Sequence, residues 1–248
     1  MAAKNIDEVI EQLETIVSES TVLGNPLGIF ASVYLGVTKD VKEGIRKGRF
    51  QDGARMERLD VHFANRYLKA YEQYCDGLPC TASWATAFKA AGHQDLLVLQ
   101  HLLMGMNAHI NLDLGIAAAK TAPGDDLAAL EEDFMEINAL LASRINRVQD
   151  KLSAVSPLLI LLDYIGGFRD EKFAEFSLEK ARDHAWKVAQ RFAFLSRDEH
   201  AEAIVELDRK VSEFNQLISH PGRLIGAVLQ VIKWFEKKDV KLIMKAMA

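Results

Sequence analysis

Proline is scarce in this chain, with 5 residues among 248, and runs of β-branched residues are few. No useful length alternates apolar and polar side chains, so nothing in the pattern argues for a sheet. Cysteine is nearly absent: Cys75 and Cys80 are the only two, and their spacing fits no metal motif. They read as reduced thiols, which points to a cytoplasmic protein rather than a disulfide framework. A basic field is also missing, because the formal net charge is −5; nucleic acid is therefore not an expected partner. The start of the chain, MAAKNIDEVIEQLE, is acidic and amphipathic, unlike a signal peptide. There is no GxSxG elbow, Walker loop, GxGxxG, HExxH or repeated ExxH pair, which removes the best-marked enzyme classes. Low-complexity segments, internal repeats and Gly/Ser-rich linkers are lacking too, so residues 1–248 are expected to form one domain.

What is present favours helix almost everywhere, because Ala, Leu, Glu and Lys dominate. Apolar residues at 6, 9, 10, 13, 16 and 17 make a first helical stripe. Asn25-Pro26 should open a second helix ending before Gly48. Asp52 is a candidate cap for a third helix, ending near Gly77, with the stripe Met56, Leu59, Phe63, Tyr67, Ala70 and Tyr74. A short helix is expected around Trp84 and Phe88. After Pro123-Gly124, a long helix should run from Asp125 to Leu152 and a short one from Ser156 to Tyr164. Asp170 to Leu195 follows, then a helix opened by the capping box Ser196/Glu199. Leu224 to Lys237 and a final helix from Asp239 complete an all-α domain of about ten helices. Trp84, Trp186 and Trp234 all fall at core-like positions.

The stretch Asp95 to Lys120 stands apart. It is apolar on every side, the mark of a buried central helix or a membrane span. Gln100, His101, Asn107, His109, Asn111 and Asp113 interrupt it, and each would be costly in lipid. A membrane span is therefore not expected, and the stretch should be the helix round which the others pack. Gly105 would let another backbone come close.

Met106-Asn107-Ala108-His109-Ile110-Asn111-Leu112-Asp113-Leu114 resembles the signature of a bacterial protein family of unknown function. Arg58-Leu59-Asp60 with Phe63 and Tyr67, the Trp84–Phe88 pair, and Ala181 with Ala185-Trp186 are similar to it as well. The resemblance implies an all-helical fold and no particular activity. Asn107, His109, Asn111 and Asp113 match its pattern, whereas His62, His101 and His184 lie outside it.

His109 and Asp113 are four residues apart and so share one helix face. They could bind one metal ion, or the carboxylate could orient the imidazole as a general base. Asn107 and Asn111 fall about 200° away and need partners on a different neighbour. The third helix offers Asp60 to His109 and Arg58 to Asp113. His184 and His200 point inward by periodicity, and either could complete a site with His109 and Asp113.

Two functions follow. In the first, a metal-dependent hydrolase-like site uses His109, Asp113 and Asp60, with a divalent metal held by His109, Asp113, His184 and His200. In the second, the protein is not a catalyst: His109, Asp113, Asn107, Asn111 and Arg58 form a buried polar network, and an apolar pocket takes a small molecule. Either a monomer or a homodimer fits the exposed faces.

Overall fold

The structure, a computed structural model, describes residues 2–93, 95–156, 158 and 178–247. Among these, every regular element is a helix. In chain order they are α1 (Ile6–Leu23), α2 (Gly28–Arg46), α3 (Gly53–Cys75), α4 (Ala82–Ala91) and α5 (Val98–Asn107). A π-helix (Ala108–Leu114) follows, then α6 (Gly115–Thr121), α7 (Leu127–Val155), α8 (Leu178–Phe192) and α9 (Arg197–Ser219). The last two are α10 (Arg223–Phe235) and α11 (Val240–Met247). The expected helix from Ser156 to Tyr164, and the start expected at Asp170, lie outside the described residues. No helix among the described residues is long and apolar enough to cross a membrane.

Several helix ends follow from local chemistry. The Asp52 carboxylate accepts from the Arg55 amide at 2.8 Å, so it caps α3. Ser196 and Glu199 make the reciprocal bonds of a capping box at α9. Gly24, Gly48 and Gly77 take positive φ where α1, α2 and α3 end, a conformation open to glycine without a Cβ clash. Other ends are capped by distant residues. The amides of Ala82 and Ser83, at the start of α4, donate to Asp208 of α9 at 2.6 and 2.9 Å. Asp133 of α7 accepts from the Gln51 and Asp52 amides and pairs with Arg55 at 3.2 Å.

The continuous rod of α5, the π-helix and α6 is the centre of the packing. It contacts α2, α3, α4 and α7, and on its other side α8 and α9. Met104, Ala108, Leu112 and Ala118 on the rod are completely buried, as are Tyr67, Trp84 and Phe134 around it. The large apolar side chains among these, Met104, Leu112 and Phe134, each contribute about 1.5–3 kcal/mol of hydrophobic stabilisation.

Two glycines let neighbours touch the rod. A Cβ on Gly105 would sit 2.6 Å from the Phe30 ring, so a side chain rather than the expected backbone fills that space. A Cβ on Gly115 would fall 2.5 Å from the Ala185 carbonyl oxygen and 2.7 Å from Val188, which lie on α8. Gly115→Ala should therefore destabilise by about 1–3 kcal/mol, because backbone must move. Gly226 of α10 has open space around it, and Gly226→Ala should stabilise by up to about 1 kcal/mol. Urea unfolding of the two variants measures both.

Two expectations about inward faces are corrected. Trp234 is 78% exposed, not in the core, because α10 turns Leu229 and Ile232 inward instead. His184 is exposed, since α8 buries Ala181, Arg182, Ala185 and Trp186. The inward stripe is a broader band than the one through His184, and it includes an arginine.

Candidate ligand cavity

Of the central polar residues, His109, Asn111 and Asp113 lie on the π-helix, and Asn107 is the last residue of α5 before it. Its hydrogen bonds run from residue i to i+5, a rare geometry often found at functional sites. Nothing in helix propensity signals it. Side chains four apart remain neighbours there, and the two polar pairs occupy different sides of the rod.

On the α9 side, Asn107 Nδ2 donates to the Val211 carbonyl and to Asn215 Oδ1, both at 2.9 Å. Asn111 Nδ2 donates to Asn107 Oδ1 at 2.8 Å. Asn215 Nδ2 in turn donates to the Ser83 carbonyl on α4 at 2.9 Å. This ladder ties three elements together and leaves little free hydrogen-bonding capacity.

Asp113 is 1% exposed and held from two helices. Arg66 Nε of α3 donates to Oδ1 at 2.6 Å, and Trp84 Nε1 of α4 donates to Oδ2 at 2.7 Å. Burial raises the pKa of this carboxyl. The Arg66 charge, with His109 and the Trp84 bond, outweighs that and leaves it below the ordinary value. Arg58, the partner expected from sequence, makes no such contact. Arg66 and Trp84 were missed because no local spacing links α3 and α4 to residue 113; Trp84 reads from sequence as packing alone.

His109 has the opposite character. It stacks on Phe63, with ring centroids 3.6 Å apart and planes 10° from parallel, and meets Tyr34 edge-on at 4.3 Å. Asp113 Oδ2 lies 3.9 Å from its Nδ1, beyond hydrogen-bonding reach. Among the described residues neither ring nitrogen has a hydrogen-bond partner, so the expected bond to Asp60 is not made. Burial is the main reason that the pKa of His109 is lowered, which keeps the ring neutral. A neutral imidazole offers one donor and one acceptor.

These side chains border an apolar cavity of about 230 Å³ between α2, α3 and the rod, where Phe30, Val33, Tyr34, Phe63, Met106 and His109 form part of the wall. Asp60, Arg144 and Arg182 also reach it. Asp60 Oδ2 and Tyr34 Oη are buried without partners. The Asp60 carboxyl is pushed up to about 7, first by burial and then by Glu57. Arg144 is neutralised by Asp40 at 2.6 Å. On the other side of Asp113 runs a groove of about 860 Å³ bordered by His62, Arg66, Lys69 and Lys120. The Arg66–Asp113–Trp84 cluster thus borders that groove close to His109 and the cavity.

No group of three His, Cys, Asp or Glu side chains among the described residues could hold a metal ion. The expected set His109, Asp113, His184 and His200 is therefore not assembled. His184 faces solvent, and His200 is half-buried with its ring edge-on to Phe192 at 5.3 Å. Both Asp113 oxygens are already taken by Arg66 and Trp84.

A family model matches residues 6–221, and its description is a family of unknown function (DUF5995). No curated protein and no solved structure matches the chain.

Proposed function

Because the chain belongs to that family of unknown function, its chemistry has to be read from its own side chains, and we propose that it binds a small, mostly apolar molecule in the cavity beside His109. One observation carries this reading: both ring nitrogens of a buried histidine lack partners at the wall of an apolar cavity. A buried polar group without a partner costs about 1–3 kcal/mol, and native proteins keep few of them. Here His109, Tyr34 and Asp60, which carry such atoms, all border the same cavity. A ligand hydroxyl or carbonyl would satisfy them, while the surrounding Phe, Val and Met side chains take an apolar body.

Size narrows the class. A cavity of roughly 150 Å³ holds benzene, so about 230 Å³ suits one substituted ring or a short aliphatic chain. The test uses benzyl alcohol and 1-hexanol as probes in isothermal titration calorimetry. Binding is expected in the wild type and should disappear in Val37→Phe, which fills the cavity. His109→Phe keeps a flat ring against Phe63 but removes both nitrogens, so it should weaken benzyl alcohol binding while the melting temperature holds or rises by a few degrees. Absence of binding by either probe would overturn the proposal.

The hydrolase reading of His109 and Asp113 depends on metal ligands that the described residues do not bring together. Elemental analysis checks it independently. A stoichiometric divalent metal in purified protein, lost in His109→Ala, would favour that reading over ligand binding.

A further inference from the structure

Arg182 on α8 borders the same cavity and is 3% exposed. Among the described residues its guanidinium donates one hydrogen bond, to the Phe134 carbonyl, and its central carbon lies 4.6 Å from the centre of the Phe134 ring. Its Nε has no partner, and no carboxylate among the described residues stands within ion-pairing distance. Two half-buried arginines differ in this respect. Arg144 pairs with Asp40 and Arg55 with Asp133.

We propose that Arg182 receives the carboxylate of the ligand, so that the cavity selects a small apolar monocarboxylic acid, with one ring or a chain of roughly six to eight carbons. This rests on the cavity being a ligand site and names the class of molecule that it takes. The physical argument is charge balance. An unpaired buried charge is strongly unfavourable, and a carboxylate is the anion that a planar guanidinium binds through two parallel N–H donors. Burial, partly opposed by the charge of the neighbouring Asp183, lowers the Arg182 pKa only to about 10, so the group stays cationic at neutral pH and has no anion in direct contact. A dianionic phosphate would overcompensate one guanidinium and bring a second charge into an apolar wall. The ring or chain of a monocarboxylate lies instead against Phe30, Val33, Phe63 and Met106, which border the same space.

The experiment compares matched probes on the full chain at pH 7: benzoate with benzyl alcohol, and octanoate with 1-octanol, by titration calorimetry. Each carboxylate is expected to bind at least about tenfold more tightly than its alcohol, the least that a charge-assisted hydrogen bond supplies. The preference should vanish in Arg182→Met and persist in Arg182→Lys. The wild-type comparison decides the class of ligand even if Arg182→Met fails to fold. Equal binding of acid and alcohol would overturn the carboxylate assignment and leave the cavity standing as a site. A preference that survives in Arg182→Met would overturn the role of Arg182. Binding of none of the four probes would overturn this inference and the ligand reading together.

Discussion

Asp60→Asn should make the protein more stable relative to the wild type at pH 8 than at pH 4, by about 4 kcal/mol. The Asp60 carboxyl is raised from 3.8 to about 7 by burial and by Glu57. Between those two values the folded state holds a proton that the unfolded state has released. Stability therefore falls as pH rises through this window and levels off above about 7. A displacement of about three units corresponds to about 4 kcal/mol, or roughly ten degrees in melting temperature for a chain of this size. Asparagine has no charge to desolvate, so the variant escapes this dependence. His109 works in the other direction. Its lowered pKa means that the unfolded state gains the proton first, and stability falls as pH drops below the ordinary histidine value. Comparing urea unfolding of Asp60→Asn and wild type at each pH cancels that contribution. A difference that stays flat from pH 4 to pH 8 would show that Asp60 is not held in a dry site.

Removal of the Asp113 carboxylate is the second large effect. Asp113→Ala leaves Trp84 Nε1 buried without an acceptor and takes away the charge that holds Arg66. Breaking a fully buried ion pair costs about 3–5 kcal/mol. Arg66 is 26% exposed and can turn its charge to water, so the lower end, about 3 kcal/mol, is expected. Asp113→Asn keeps an acceptor for the indole and should lose less. Because Asp113 titrates below the ordinary value, its contribution is fully present above about pH 4 and disappears as pH falls through the lowered pKa. A double-mutant cycle between Asp113→Asn and Arg66→Met measures the coupling directly. Additive losses would show that the two groups do not act on each other.

Both effects concern residues that sequence singled out, yet for partners that it did not supply. The sequence offers Asp60 of the third helix to His109, but the two make no hydrogen bond. The sequence offers Arg58 to Asp113, and the arginine that holds it, Arg66, is two turns further along α3. Periodicity reports which side of a helix turns inward. It does not report the rotation and height at which a neighbour meets that side.

What the chain determined locally is therefore specific. Its composition and three-four rhythm required an all-helical protein. Asp52, Ser196 and Glu199 marked helix starts, because a cap acts on amides two or three residues away. The largely apolar character of residues 95–120 put that segment at the centre, and Asn107, His109, Asn111 and Asp113 were bound to face two different neighbours. The tertiary structure alone decided the rest. It set the π-helical turn, the capping of α4 by Asp208, and the exposure of Trp234 and His184. It also brought Arg182 to a cavity with His109 and Asp60, residues from three separate helices. The reason is one of range: a hydrogen bond or cap within one helix is written in adjacent residues, whereas a cavity exists only once several helices have packed and left space between them.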